Sequence, residues 1–168
     1  MDGGTAEREF VERLERHRGL LVKVAAAYCR EDEQREDLIQ DIVVQLWSSR
    51  KRFDGRVKFS TWMYRVALNV AISAYRRKAN QAAALDLGFS AVESLAAPVA
   101  VPDPEREVLF DRIDRLDPLH RALLLLYLEE RSYAEIGEIL GISESNVGTK
   151  IARIKQRLRH EIAAAPIV

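Results

Sequence analysis

Apolar residues return every three or four positions along almost the whole chain, and no stretch alternates convincingly with period two. Phe10, Leu14, Leu21, Val24 and Tyr28 mark one predicted helix; Leu38, Ile39, Ile42, Val43 and Leu46 mark a second. A third is expected to start after Ser60 as N-cap, with Phe59 and Tyr64 placed as a hydrophobic staple. From Ala79 to Pro104 the pattern lapses into an Ala-rich stretch with Gly88, Pro98, Pro102 and Pro104. That reads as a linker, although Leu85, Leu87, Phe89 and Leu95 leave it able to dock. Asp103–Pro104 and Asp117–Pro118 each place a capping acid before a proline suited to the first helical position, so two further helices start there. The expected fold class is all-α: a helical domain over residues 1–80, a linker over 81–104 and a second helical domain over 105–168.

The sharpest local pattern lies near the C-terminus, in SYAEIGEILGISESNVGTKIARIKQRL. One helix ends at Leu140, Gly141 supplies a left-handed turn, and Ser143 caps the next. Ile136, Leu140, Ile142 and Val147 fall where a helix-turn-helix packs its two helices, and Gly137 sits at their close approach. In the second helix Val147, Ile151, Ile154 and Leu158 form one seam. Ser145, Thr149, Ala152, Arg153 and Gln156 lie opposite, free to enter a major groove, while Lys150, Lys155, Arg157 and Arg159 flank them toward phosphates. Alone, this pattern says that the chain binds DNA.

The third helix, from Thr61 to Lys78, is apolar around most of its circumference apart from a stripe of Trp62, Arg65, Asn69, Ser73 and Arg76. Such a stripe is either an internal hydrogen-bond network or a ligand groove, and spacing does not choose between them. The preceding loop, RKRFDGRVKF, adds bases and two aromatics, a mixture suited to single-stranded nucleic acid. On the second helix Asp37, Gln40 and Asp41 oppose the apolar seam, yet Val44 shares their face and Trp47 its edge. An apolar spot in an acidic face suits a protein-docking surface.

The net charge of zero argues at first against a nucleic-acid binder, but its distribution reverses the impression. Residues 30–41 carry six acids against two bases; residues 50–78 carry nine bases against one acid. Residues 79–105 have no Lys or Arg, and residues 150–159 have five bases and no acid. Two basic blocks separated by a stretch without bases suit two sites on one polyanion, leaving acidic surfaces for another partner. The single cysteine, Cys29, excludes an internal disulfide, and with three scattered histidines it builds no metal cluster. No apolar run approaches the ~20 residues that span a bilayer, and the N-terminus lacks a signal-peptide pattern, so a cytoplasmic protein is expected.

Three segments in this order, REDLIQDIVVQLW, FDGRVKFSTWMYRVALNVAISAYRR and LDPLHRALLLLYLEERSYAEIGEILGISESNVGTKIARIKQRLR, resemble domains two and four of the extracytoplasmic-function sigma factors. The resemblance implies a transcription initiation factor without enzymatic activity, cofactor, metal or small-molecule substrate. Its partners would be core RNA polymerase, promoter DNA and an anti-sigma protein. Asp37, Gln40, Asp41, Val44 and Trp47 would dock on the clamp helices of the largest polymerase subunit, and the first helices of the C-terminal domain on the flap of the second-largest. Phe53 and Asn69 would form a pocket for a flipped base of the −10 element, with Lys58, Trp62, Arg65, Arg76 and Arg77 around it. The helix from Glu144 would read the −35 element through Ser145, Thr149, Lys150, Ala152, Arg153, Lys155 and Arg157. The linker would thread toward the active cleft or the RNA exit path.

One departure stands out: Gly148 occupies a position where the family commonly carries Arg or Lys. Three other readings compete. A stand-alone helix-turn-helix repressor would explain the C-terminal pattern but leave the acidic face and the Trp62–Arg76 stripe idle. A nuclease would need clustered catalytic groups, whereas His17, His120 and His160 fall on different helices. A decoy paralogue would not need its acidic and basic motifs intact.

Overall fold

The computed structural model describes residues 3–85 and 104–164, and every regular element among them is helical. In order these are α1 (Gly3–Arg16), α2 (Arg18–Tyr28), α3 (Asp32–Ser49), a 3₁₀ turn at Arg50–Arg52, α4 (Phe59–Leu85), α5 (Pro104–Asp114), α6 (Pro118–Leu128), α7 (Tyr133–Leu140) and α8 (Glu144–Ala163). The chain divides into two compact units, Met1–Ala71 and Ile72–Val168. The division falls within α4, which runs on through residues 81–85 of the expected linker. The rest of that linker, with Leu87, Phe89, Leu95 and the cap at Asp103, lies outside the described residues.

In the first unit the helix expected over Phe10–Tyr28 is two helices, broken at His17 (φ −106°, ψ 14°). Leu14 and Leu21 are seven positions apart, two full turns, so the apolar phase passes through the break unaltered and could not reveal it. Helix α4 begins at Phe59, not after Ser60: the Trp62 amide donates to the Lys58 carbonyl at 3.1 Å. Phe59 is itself buried, which draws the chain into the helix before the hydroxyl that was expected to cap it. Leu21, Val24 and Ala25 of α2, Leu38, Ile42 and Leu46 of α3, and Met63, Tyr64, Ala67 and Leu68 of α4 make up the core. Each large apolar side chain in it contributes about 1.5–3 kcal/mol on leaving water. Helix α1 buries no residue fully; Phe10 holds it, edge-on to Trp47, Phe59 and Trp62 at 6.0, 5.8 and 6.1 Å, with an ion pair from Arg50 to Glu7 at 3.1 Å.

In the second unit the local signals act as their chemistry demands. Asp117 accepts from the amides of Leu119 and His120, with Pro118 at the first helical position. Ser132 and Glu135 form a reciprocal capping box, Gly141 takes φ 71°, and Ser143 caps α8 through the Asn146 amide. A Cβ on Gly137 would meet the Ile142 carbonyl oxygen at 2.6 Å, so the close approach of α7 to the turn requires glycine. Val147, Ile151, Ile154 and Leu158 of α8 are buried together with Leu123 and Leu126 of α6 and Ile136 and Ile139 of α7. Arg121, only 4% exposed, donates to the Asp114 carbonyl at 2.7 Å and fixes the end of α5. The two helices thus leave one face of α8 outward on a rigid base.

Candidate nucleic-acid interface

The basic loop of the first unit is shaped by its one acid. Asp54 accepts from the Arg56 amide and pairs with the Arg56 guanidinium, both at 3.1 Å, while Gly55 takes φ 78°. This tight turn delivers Phe53 onto the start of α4. Its ring is half-buried, 5.4 Å from Phe59 and 5.3 Å from Trp62. Trp62, expected on the DNA surface, is instead only 8% exposed. It is the floor under Phe53, because the same helical face that points at the loop also points at α1. The remainder of the stripe emerges from the core: Arg65 is half-buried, and Asn69, Ser73, Arg76 and Arg77 are exposed, as is Lys58. An exposed Asn69 cannot belong to a buried polar network. Asn69, Ser73 and Arg76 therefore form the outward part of the stripe, on the surface of α4.

On α3 the seam of Leu38, Ile42 and Leu46 is buried and the opposite face is open. Asp37, Gln40 and Asp41 are exposed, and Val44 is 65% exposed among them. Trp47 closes the strip, 38% exposed, with the Arg50 guanidinium 4.0 Å over its ring. Arg50 is thus spent on Trp47 and Glu7 and belongs to the fold, although the sequence counts it in the basic block.

Along α8, Ser145, Thr149, Ala152, Arg153 and Gln156 are exposed as the helical wheel requires. The Thr149 hydroxyl donates to the Ser145 carbonyl at 3.1 Å. Arg153 makes no ion pair or side-chain hydrogen bond among the described residues, so its donors are available. Two flanking bases depart from expectation. Lys155 is half-buried, its ammonium 4.2 Å over the Tyr127 ring of α6, and Arg157 donates to Glu161 at 2.9 Å. That hydrogen bond holds the Glu161 carboxyl below the ordinary carboxylate range. Lys150 is half-buried beside the seam. Gly148 lies against Tyr133, first residue of α7: a Cβ there would touch the ring at 3.5 Å, an ordinary contact. Neither aromatic partner was visible in the sequence, since Tyr127 and Tyr133 meet α8 only through the packing of α6 and α7.

Residues 14–81 match the Sigma-70 region 2 family and residues 106–158 match Sigma-70 region 4. The Bacillus subtilis ECF RNA polymerase sigma factor SigW is 30% identical over 139 residues, 76% of this chain and 74% of its own. The chain belongs to the extracytoplasmic-function sigma factors. Another relative, the RNA polymerase sigma factor CarQ of Myxococcus xanthus, is 29% identical over 155 residues, covering 92% of this chain and 89% of CarQ. The fold is that of the sigma factor RpoE from Bartonella quintana, solved with the anti-sigma factor NepR: TM-score 0.73 at 19% identity, over 95% of this chain and 99% of that one. This sigma factor is a transcription initiation factor, and the acidic face, the basic loop and most of α4 fall in its region 2, while the helix-turn-helix falls in its region 4. A stand-alone repressor accounts for the second match and not for the first. Among the described residues no helix is long and apolar enough to cross a membrane.

Proposed function

We propose that this sigma factor acts from the cytoplasm, without enzymatic activity, through four separate surfaces on polymerase and promoter. The Asp37–Gln40–Asp41 face of α3, with Val44 and Trp47 at its apolar centre, docks on basic helices of the polymerase clamp. Exposed Leu109 and Phe110 on α5 suit contact with the flap. Phe53, Asn69 and the bases around them hold one unstacked strand of the −10 element. Extruding a base costs a few kcal/mol, and each stacked base returns roughly 1–3 kcal/mol. Binding energy alone can therefore open the duplex, without nucleotide hydrolysis. The observation that carries this reading is the placement of exposed Asn69 on the helix whose first turn seats the half-buried ring of Phe53. An anti-sigma protein is a fitting further partner, as RpoE of Bartonella quintana has one.

In region 4 the exposed strip of α8 reads the −35 element as duplex, and Arg153 carries much of the readout. A bidentate Arg–guanine contact is worth about 1–3 kcal/mol, so Arg153→Ala is expected to lower transcription and relax preference at one or two −35 positions. Gly148→Arg has the opposite character. Its Cβ is accommodated beside Tyr133, the helix gains about 1 kcal/mol in propensity, and the added charge meets phosphate without regard to sequence. Open-complex formation measured against salt should then strengthen for all promoters, with the slope steeper by roughly 0.9. A slope left at the wild-type value would place position 148 away from the DNA backbone and overturn this register of α8.

A further inference from the structure

Helix α1 lies mostly before the region 2 match, and its outer surface has no part in the roles proposed above. Phe10 and Arg13 of α1, with His17 at the break that follows it, lie along the aromatic cluster. Phe10 and His17 each touch Phe59, at 5.8 and 5.5 Å between ring centroids. Between them Arg13 reaches furthest toward the basic loop: its guanidinium stands 5.1 Å from the Phe59 ring and 5.9 Å from that of Phe53. Two rings holding one guanidinium fix its position without consuming its N–H donors.

Those donors are unspent. Among the described residues Arg13 makes no ion pair and no side-chain hydrogen bond, and it is exposed. Arg50 is neutralised by Glu7 and covered by Trp47, and Glu12, the acid beside Arg13 in sequence, turns to Arg16 at 3.9 Å. An exposed planar cation held beside Phe53, with its donors unspent, is a ready partner for an anion carried past that ring. A nucleotide whose base stacks on or beside Phe53 carries a phosphate within reach of such a side chain.

We propose that Arg13 of α1 is a further contact for the opened −10 strand, donating to the backbone phosphate next to the base held at Phe53. The proposal rests on the reading of Phe53 and Asn69 as the −10 site. It assigns α1 a share in strand capture beyond packing, with a contact indifferent to base identity.

The test uses holoenzyme reconstituted with core polymerase and a fluorescent single-stranded oligonucleotide. That probe carries the non-template −10 sequence of a promoter mapped by run-off transcription with this factor. Affinity is measured by anisotropy across a salt series for wild type, Arg13→Met, Arg13→Lys and Asn69→Ala. Methionine keeps an apolar stem over Phe59 and Phe53 but no charge; lysine keeps the charge. Loss of one phosphate contact should lower the salt slope by roughly 0.7 and the affinity roughly fivefold in Arg13→Met, with Arg13→Lys retaining the slope. If Arg13→Met binds as wild type while Asn69→Ala weakens binding, Arg13 is a packing residue and only this proposal falls. If both Arg13 variants weaken binding at an unchanged slope, the contribution is again packing, and the proposal is wrong. If Asn69→Ala and Arg13→Met both bind normally, the −10 reading fails and takes the proposal with it.

Discussion

Reversing charge at Asp37 and Asp41 together is expected to abolish the association of this sigma factor with core polymerase. Both carboxylates are exposed on the face of α3 opposite its buried seam, so neither supports the fold. Arginine is a better helix former than aspartate, and the double variant Asp37→Arg, Asp41→Arg should melt no lower than wild type. Like charges brought together at a docked interface cost several kcal/mol, roughly a hundredfold or more in affinity. Pull-down or fluorescence titration of core polymerase measures the loss. Undiminished binding by a normally folded double variant would remove the acidic face from the polymerase contact.

Promoter opening should fail next, and separately, when Phe53 or Asn69 is replaced by alanine. Asn69→Ala is the cleaner of the two, since the residue is exposed on α4 and alanine favours the helix. Phe53→Ala also forfeits ring contacts with Phe59 and Trp62, at about 0.5–1.5 kcal/mol each, and should lower the melting temperature slightly. Both should bind core polymerase as wild type does. Losing a captured base is worth roughly 1–3 kcal/mol, so permanganate reactivity of unpaired −10 thymines should drop about five- to 150-fold. Normal reactivity in Asn69→Ala would reduce Asn69 to a solvated side chain.

Much of this was legible in the sequence because it is written in short-range chemistry. The capping acid and proline at Asp117–Pro118, the Ser132–Glu135 box, the left-handed Gly141 and the cap at Ser143 each act over a single turn. The outward strip of α8 follows from one unbroken apolar seam. What escaped depends on where a helix packs. The break at His17 keeps the apolar phase on both sides, and Phe59 overrides Ser60 because tertiary burial outweighs a cap. Trp62, Lys155 and Arg50 read as DNA-facing groups by composition and spacing. Partners brought from other elements, namely Phe10, Tyr127 and Glu7 with Trp47, hold them within the fold. Arg13 went unnoticed for the converse reason, since only folding brings it beside Phe53.

Promoter-directed initiation by this protein is tested most directly by run-off transcription on a genomic-fragment library with bacterial core polymerase, with and without the protein. Discrete transcripts should appear only when the protein is added. Their upstream sequences should share two short blocks, one recognised as duplex and one opened. Specific binding to duplex DNA without polymerase, together with no new transcript, would contradict promoter-directed initiation and make the chain a stand-alone DNA-binding regulator.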